Sequence, residues 1–401
     1  MIKRIRKMFS IDDTDKLLYI ATLCLVVFGS IMIFSAEMGN ALSLNNTNNP
    51  NYFPIVIAKQ LLFVFIGLVA MLFVSNVNIM RKEQFYYTMA AFIGAVLLSC
   101  RLFGSVHGAY AWIRTPIGTI QPSEFAKIFT IVMIGRFAAF HKETKHESKD
   151  LLRNMLYVLA SFAVIIVVLQ KDTGSGLVLA GIAYLLLLML DNKYYFKFRK
   201  VLFIGLFVII AGVIFVVSPV CTAFLESLGS SSYMVGRFLA SANPFKYQYN
   251  IGYHLVMSLV SFATGGVFGL GYGNSIHKYM NFPNPENDFI LPVIVEELGI
   301  IGFSIIVILY GIIIFTLYRY AFSKKADLTS KIILLGVSLY FILHFILNVG
   351  GVTGFIPLTG VPLLLISSGG SSWIASLMAI GFAQNEIKKI KRKMIYENNS
   401  R

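Results

Sequence analysis

The sequence predicts an all-α integral membrane protein with about ten membrane-spanning helices, and three observations carry that expectation. Of its 401 residues, 57% are hydrophobic and only 13% are charged, about half the charge of a usual soluble domain. The mean hydropathy is +0.75. Near-unbroken apolar runs recur along the chain, each close to the ~20 residues a helix needs to cross a bilayer. Together these exclude a soluble enzyme, a disordered chain and an outer-membrane barrel, whose strands would alternate in short segments. Three cysteines, Cys24, Cys100 and Cys221, are too few for a disulfide scaffold, and no CxxC or His/Cys cluster suggests zinc.

Ten spans are expected near 17–36, 53–75, 86–103, 124–140, 152–169, 174–190, 201–220, 289–318, 331–349 and 371–386. Each can satisfy its backbone internally as a helix, which lipid demands. The first reads as a retained helix and not as a cleavable signal. It is too long, it lacks a convincing small-residue cleavage site, and the chain beyond it stays hydrophobic.

Lys and Arg set the orientation. With the N-terminus in the cytoplasm, the inside segments 1–16, 76–86, 141–153, 191–200, 319–331 and 386–401 hold 25 basic residues. The outside segments hold six: Arg101, Arg114, Lys171, Arg237, Lys246 and Lys278. Both termini are therefore expected inside. The net charge of +15 is a topological signal and a contact surface for anionic lipid, and no nucleic-acid partner is expected.

The chain reads as a single polytopic domain over 1–401, with a large external loop at 221–288 and a basic cytoplasmic tail at 387–401. A further external segment, 101–123, is also longer than a connector needs. The external segment 350–370 is apolar, uncharged and rich in Gly, Pro and Ser. It is too irregular to face lipid and is expected as a re-entrant or cavity-lining loop. Function is thus expected on the external face.

Acids in or beside spans are functional candidates by default. The external side offers Glu37, Glu124, Asp172, Glu226, Glu286, Asp288, Glu296 and Glu297. Asp288 stands at the mouth of the eighth span, where it could cap the helix or act as a catalytic acid or base. Glu296 and Glu297 follow in the same helix and need partners or a polar cavity. Glu124 and Lys127, three residues apart, share a helix face. They could neutralise each other, or Lys127 could meet an anionic substrate. Asp172 or Ser175, in a Gln-Lys-Asp-Thr-Gly-Ser-Gly turn, could cap the sixth span. Arg237 suits phosphate oxygens through its planar fork, or else snorkels at the surface. His254 reads as a packed polar residue before it reads as a base. The glycine run Gly265, Gly266, Gly269, Gly271, Gly273 allows close backbone approach, but no phosphate-loop motif is present.

At this point the string of motifs resembles the SEDS family, the FtsW, RodA and SpoVE proteins. The matching pieces are KQLLFVFIGLVAM at 59–71, QPSEFAKI at 121–128, KDTGSGLVL at 171–179, RFLASANPF at 237–245, GYHLVMSLVSFATGGVFGLGYGNS at 252–275, NDFILPVIVEELGIIG at 287–302 and NVGGVTGFIPLTGVPLLLISSGGSS at 348–372. The resemblance implies a peptidoglycan glycosyltransferase that polymerises lipid II outside the cytoplasmic membrane, with a class B penicillin-binding protein as crosslinking partner. It implies that Asp288, in the Asp-Phe-Ile motif, is the catalytic residue. The sequence departs from the family pattern at Lys171, where Pro is usual, at Ser368, where Tyr is usual, and at Tyr110-Ala-Trp112, where Arg-Arg-Trp is usual.

The candidate substrate contacts are accordingly Arg237, Lys127, Glu124, Asp172, Lys171, His254, Ser258, Glu296 and Ser368. A divalent metal could assist the leaving pyrophosphate. GGVTGFIPLTGVPL looks more like the division branch, FtsW, and implies other division proteins as partners and a septal location. An elongation polymerase of the RodA kind, a lipid II flippase and a division scaffold remain as rival readings.

Overall fold

The computed structural model describes residues 12–41, 51–77, 82–143 except 107 and 117, 148–190, 196–217 and 233–399 except 281 and 283. Glu226 and Cys221 lie outside the described residues. Twelve α-helices are found among them: α1 Lys16–Ala41, α2 Tyr52–Val74, α3 Glu83–Ser99, α4 Pro122–Glu143, α5 Ser148–Val164, α6 Thr173–Leu188, α7 Phe196–Val217, α8 Tyr233–Ala242, α9 Tyr253–Gly265, α10 Ile290–Ala321, α11 Leu328–Val352 and α12 Gly370–Asn399. The all-α expectation holds apart from one small hairpin, β1 Ile113–Arg114 with β2 Thr119–Ile120, in register Ile113 opposite Ile120.

Each expected span falls on one helix. Among the described residues α1, α2, α10, α11, the stretch Glu83–Phe103 (α3 with the turn after it) and the stretch Leu152–Leu169 (most of α5 with the turn after it) are long and apolar enough to cross a membrane, as the multi-pass reading requires. The other four, α4, α6, α7 and α12, coincide with the remaining expected spans. Two boundaries differ. The 387–401 tail was expected as a simple basic extension, but α12 continues to Asn399. Its charged turns are tied down by Lys388 Nζ to Asn76 Oδ1 at 2.7 Å and Lys391 Nζ to the Thr14 carbonyl at 2.6 Å. The stretch after α7 is also not one continuous loop, because it contains α8 and α9.

α11 is the central helix. Two thirds of its apolar window is buried, and it packs against α10, α4, α12 and α6. α2 lies along α12, and α1 along α10. Polar clips close the bundle at the end that carries Asp15. The Asp15 N–H donates to Gln384 Oε1 and Gln384 Nε2 donates back to the Asp15 carbonyl, both at 2.9 Å.

α10 breaks at Gly299, whose φ of +66° is closed to most L residues. A break leaves carbonyls before it and N–H groups after it without helical partners, which an apolar surround does not tolerate. The glycine run supplies those partners from its own backbone. The N–H groups of Leu270 and Gly271 donate to the carbonyls of Glu296 and Glu297, at 2.9 Å each, and the Gly266 carbonyl accepts from Ile300 N–H at 3.0 Å. A Cβ on Gly269 would overlap the Glu297 carbonyl, so this close approach explains the glycines without any phosphate loop.

Candidate active site

Asp288 lies in the turn that leads into α10. The cap position itself is held by Phe289, which has no capping side chain, so the cap expected at Asp288 falls one residue later. Its backbone carbonyl accepts from Asn348 Nδ2 of α11 at 2.9 Å. The same nitrogen donates to the Val361 carbonyl at 2.9 Å. Asn348 thus straps the Asp288 turn to the irregular segment between α11 and α12.

That segment is the 350–370 stretch expected to be buried in protein. Its residues Leu363, Leu364, Leu365 and Ile366 are each fully buried. With Asp288, Asn348, Gly351 and Val352, the run Leu358–Val361 lines a small cleft. Gly360 has φ +71°, and a Cβ there would stand 3.9 Å from Arg237 Nη2 and 4.0 Å from Asp288 Oδ2. That backbone favours glycine, and a side chain there would come into contact with both the guanidinium and the carboxylate. Arg237 is held in place by donating from Nη1 to the Leu358 carbonyl at 2.8 Å. The fold therefore brings together the two residues that the sequence reading ranked first for base and for phosphate, from α8 and from the start of α10.

His254 joins them from α9. Its ring lies 5.9 Å from that of Phe289. Desolvation first, and then the Arg237 charge, lower its pKa below the ordinary 6.5, which favours neutral imidazole. Ser368 also reaches the acid turn, through its N–H to the Glu286 carbonyl at 2.7 Å. Lys171 and Asp172 stand at the neighbouring helix start. Gly174 of α6 approaches the Thr359 carbonyl so closely that a Cβ would lie 2.6 Å away. Asp172 caps α6 by accepting from Ser175 N–H at 3.0 Å and receives Gln121 Nε2 at 2.7 Å. Lys171 is exposed and has φ +59°, a conformation a proline ring cannot adopt.

The remaining candidates are structural in this geometry. Glu296 is fully buried and accepts from Ser275 Oγ at 2.5 Å and Ile276 N–H at 3.2 Å, with His277 Nδ1 at 2.6 Å. Glu297 pairs with Lys278 Nζ at 2.6 Å and accepts from Ser35 Oγ at 2.6 Å. Both carboxylates anchor the 274–280 loop across the α10 break, and the bonds of Glu296 here are to that loop. Ser258 also has a structural partner. It is fully buried and donates to the Val352 carbonyl at 2.6 Å, tying α9 to the end of α11. Glu124 and Lys127 are each 1% exposed and bond to one another at 2.7 Å. Neither faces the cleft. Among the described residues no group of three or more His, Cys, Asp or Glu side chains is placed to hold a metal ion, and no step below is routed through one.

Glu286, two residues before Asp288, has a place that the sequence did not reveal. Asn40 Nδ2 donates to its Oε2 at 2.9 Å while also donating to Glu37 Oε2 at 3.0 Å. Burial first, then the Glu37 charge and, more weakly, Asp288, push its pKa from 4.5 to about 7. A carboxyl with a raised pKa in the fold costs nothing when both states are protonated. It loses stability as pH rises from the unfolded value through the folded one. At 1.36 kcal/mol per pH unit, the full penalty above pH 7 is about 3 kcal/mol. Glu286→Gln is therefore expected to raise thermal stability in detergent at pH 8 and to leave it nearly unchanged at pH 4.5. Equal shifts at the two pH values would contradict this ionisation.

Fold and site together define a multi-pass helical membrane protein with an acid–arginine cleft built on irregular backbone between helices. The chain belongs to the FtsW/RodA/SpoVE family: the family model, described as "Cell cycle protein", matches residues 15–392. It is similar to "Stage V sporulation protein E" of Bacillus subtilis (strain 168), 30% identical over 92% of this chain and 96% of that protein. It is also similar to "Probable peptidoglycan glycosyltransferase FtsW" of Trichlorobacter lovleyi, 29% identical over 96% of each chain. Among solved structures, a chain from a peptidoglycan synthase complex shares the fold with TM-score 0.64 at 18% identity, over 95% of this chain and 98% of that one.

Proposed function

We infer that the chain is a peptidoglycan glycosyltransferase that polymerises lipid II, and that the cleft at Asp288 is where it does so. The observation that carries this reading is the convergence of Arg237 and Asp288 on Gly360, in a family whose FtsW members are named for this activity. In the reaction a sugar hydroxyl of the acceptor attacks the anomeric carbon of the donor. The carbon–oxygen bond to the lipid pyrophosphate breaks, and the hydroxyl proton must leave. Asp288 accepts that proton. Arg237, oriented by the Leu358 carbonyl, binds pyrophosphate oxygens of the donor. His254 near neutrality adds a hydrogen-bonding group without a competing charge. The apolar cleft wall from α11 and the 358–361 run suits a lipid-linked substrate.

The test is polymerisation of purified lipid II by the purified chain, alone and with a class B penicillin-binding protein, the expected crosslinking partner. Glycan polymer supports the enzyme. Translocation across vesicles without polymer would establish a flippase, and neither activity would leave a scaffold. The relatives named FtsW favour septal synthesis in division over elongation. The charge split places both termini in the cytoplasm and the cleft on the outer face. Reporter fusions after residues 145 and 325 are then expected to read cytoplasmic, and one after residue 250 external. An external signal at 325 would overturn that orientation.

A further inference from the structure

Asn348 is 3% exposed and stands in the wall of the Asp288 cleft. Its two amide hydrogens are both used, on the carbonyls of Asp288 and Val361. That double donation settles which way the amide faces, because a flipped amide would set its oxygen against two carbonyl oxygens. The oxygen Oδ1 is left buried with no hydrogen-bond partner among the described residues. A buried acceptor without a donor is unfavourable, and such groups in native proteins have a reason. Here the unpaired acceptor belongs to a residue of the same cleft wall as Asp288, where acceptor sugar and enzyme meet under the reading above.

We propose that Asn348 Oδ1 accepts a hydrogen bond from the acceptor amino sugar, from an acetamido N–H or from a ring hydroxyl next to the nucleophilic one, so that Asn348 is a positioning residue for the polymerisation. The inference rests on the polymerase reading and deepens it. The chemistry fits one partner class. Oδ1 can only accept, Asp288 as carboxylate can only accept, and Arg237 can only donate. A sugar that gives its nucleophilic proton to Asp288 and a second N–H or O–H to Asn348 is held at two points. A phosphate, which at neutral pH offers almost no donor, satisfies Arg237 but not Asn348. The cleft thus sorts its two substrates, the donor pyrophosphate to the arginine and the acceptor sugar to the aspartate and asparagine. The strap explains why this acceptor keeps its place: the bonds that orient Oδ1 are the ones that hold the Asp288 turn.

The experiment uses the full chain in detergent or vesicles with lipid II and three acceptor analogues. One has the 2-acetamido group of the terminal N-acetylhexosamine replaced by 2-O-acetyl, which removes the N–H and keeps the carbonyl. The other two each lack one hydroxyl next to the nucleophile. With the wild-type chain, at least one analogue is expected to lose about tenfold in kcat/KM, the usual worth of one hydrogen bond, and the arms tell N–H from O–H. Asn348→Leu keeps the shape and removes the acceptor. It is expected to lose rate on lipid II but to use lipid II and the sensitive analogue within about twofold of each other, since the lost bond is the same one. The analogue series on the wild-type chain needs no variant, so it decides the inference even if Asn348→Leu fails to fold. A purely structural strap would lower activity on every substrate alike. Wild-type chain that uses all three analogues as well as lipid II overturns the inference, because Oδ1 then takes no hydrogen bond from the acceptor sugar. So does an analogue penalty of equal size in the wild type and in Asn348→Leu. Failure of the wild type to polymerise lipid II itself removes the polymerase reading and this inference with it, whereas polymerisation with indifferent analogues removes the inference alone.

Discussion

Asp288→Asn is expected to insert, fold and bind its partner like the wild type, yet to make no detectable glycan polymer from lipid II. The substitution preserves size and shape, and Asn caps a helix about as well as Asp. The structure lowers the stake of any cap further, because Phe289 occupies the cap position of α10 and the Asp288 turn is held through its backbone carbonyl by Asn348, a bond that the substitution leaves intact. What the amide cannot do is accept a proton at neutral pH. Loss of a general base costs roughly 10²–10⁴-fold in rate, which takes polymer synthesis below detection. Asp288→Ala is expected to be equally inactive and slightly less stable. Glu286→Gln serves as the control for the turn. It removes a charge two residues away, keeps the Asn40 contact through its amide oxygen, and is expected to retain most activity. Measured together, Tm and polymer yield separate the roles. Near wild-type polymerisation by Asp288→Asn would show that the carboxylate is not the base, whatever its position beside Arg237.

How much of this was legible in the sequence depends on the range over which each contact acts. The ten apolar spans were legible because hydropathy is local, and each fell on a helix. Asp288 and Arg237 stood out because charge is scarce in an apolar chain, and that scarcity is itself a consequence of lipid. The Glu124–Lys127 pair was legible from its three-residue spacing. The partners of Glu296 and Glu297 were not. His277 and Lys278 lie 19 residues earlier, and they reach the carboxylates only because α10 breaks at Gly299 and a glycine loop lies across the break. No helical periodicity encodes such a meeting. Asn348 was hidden for a different reason. It is a neutral side chain inside an apolar helix, with no charge to draw attention, and its role is visible only when the Asp288 and Val361 carbonyls are placed. The raised pKa of Glu286 likewise depends on Glu37, which lies 249 positions away in the sequence.

Lys127→Met is expected to destabilise the protein by about 3–5 kcal/mol, the cost of leaving one member of a buried ion pair without the other. The pair sits in a fully partnered polar ladder inside the bundle. Tyr340 Oη donates to Glu124 Oε2 at 3.0 Å, and Lys127 Nζ donates to Glu124 Oε1 at 2.7 Å. Lys127 Nζ also lies 3.1 Å from His344 Nε2, while His344 Nδ1 lies 3.0 Å from the Pro362 carbonyl. A carbonyl can only accept, so Nδ1 carries the hydrogen and Nε2 is the acceptor for lysine: His344 is neutral, with its tautomer assigned by the network. Removing the lysine leaves the Glu124 carboxyl in an apolar core with only a phenol to meet it. Glu124→Gln leaves an ammonium in the same position. The double variant Glu124→Gln/Lys127→Met removes both charges and is expected to recover at least half of the stability lost by either single variant, which a double-mutant cycle on Tm in detergent measures. Additive losses would mean that the pair is not the source of the cost. The same double variant tests the other reading of Lys127. At 1% exposure the lysine is placed to support the Pro362 end of the cleft loop and not to touch a phosphate. A folded double variant that polymerises lipid II would confine Lys127 to that support. One that is folded and inactive would return it to the substrate, and would require the cleft to open as far as α4 during the reaction.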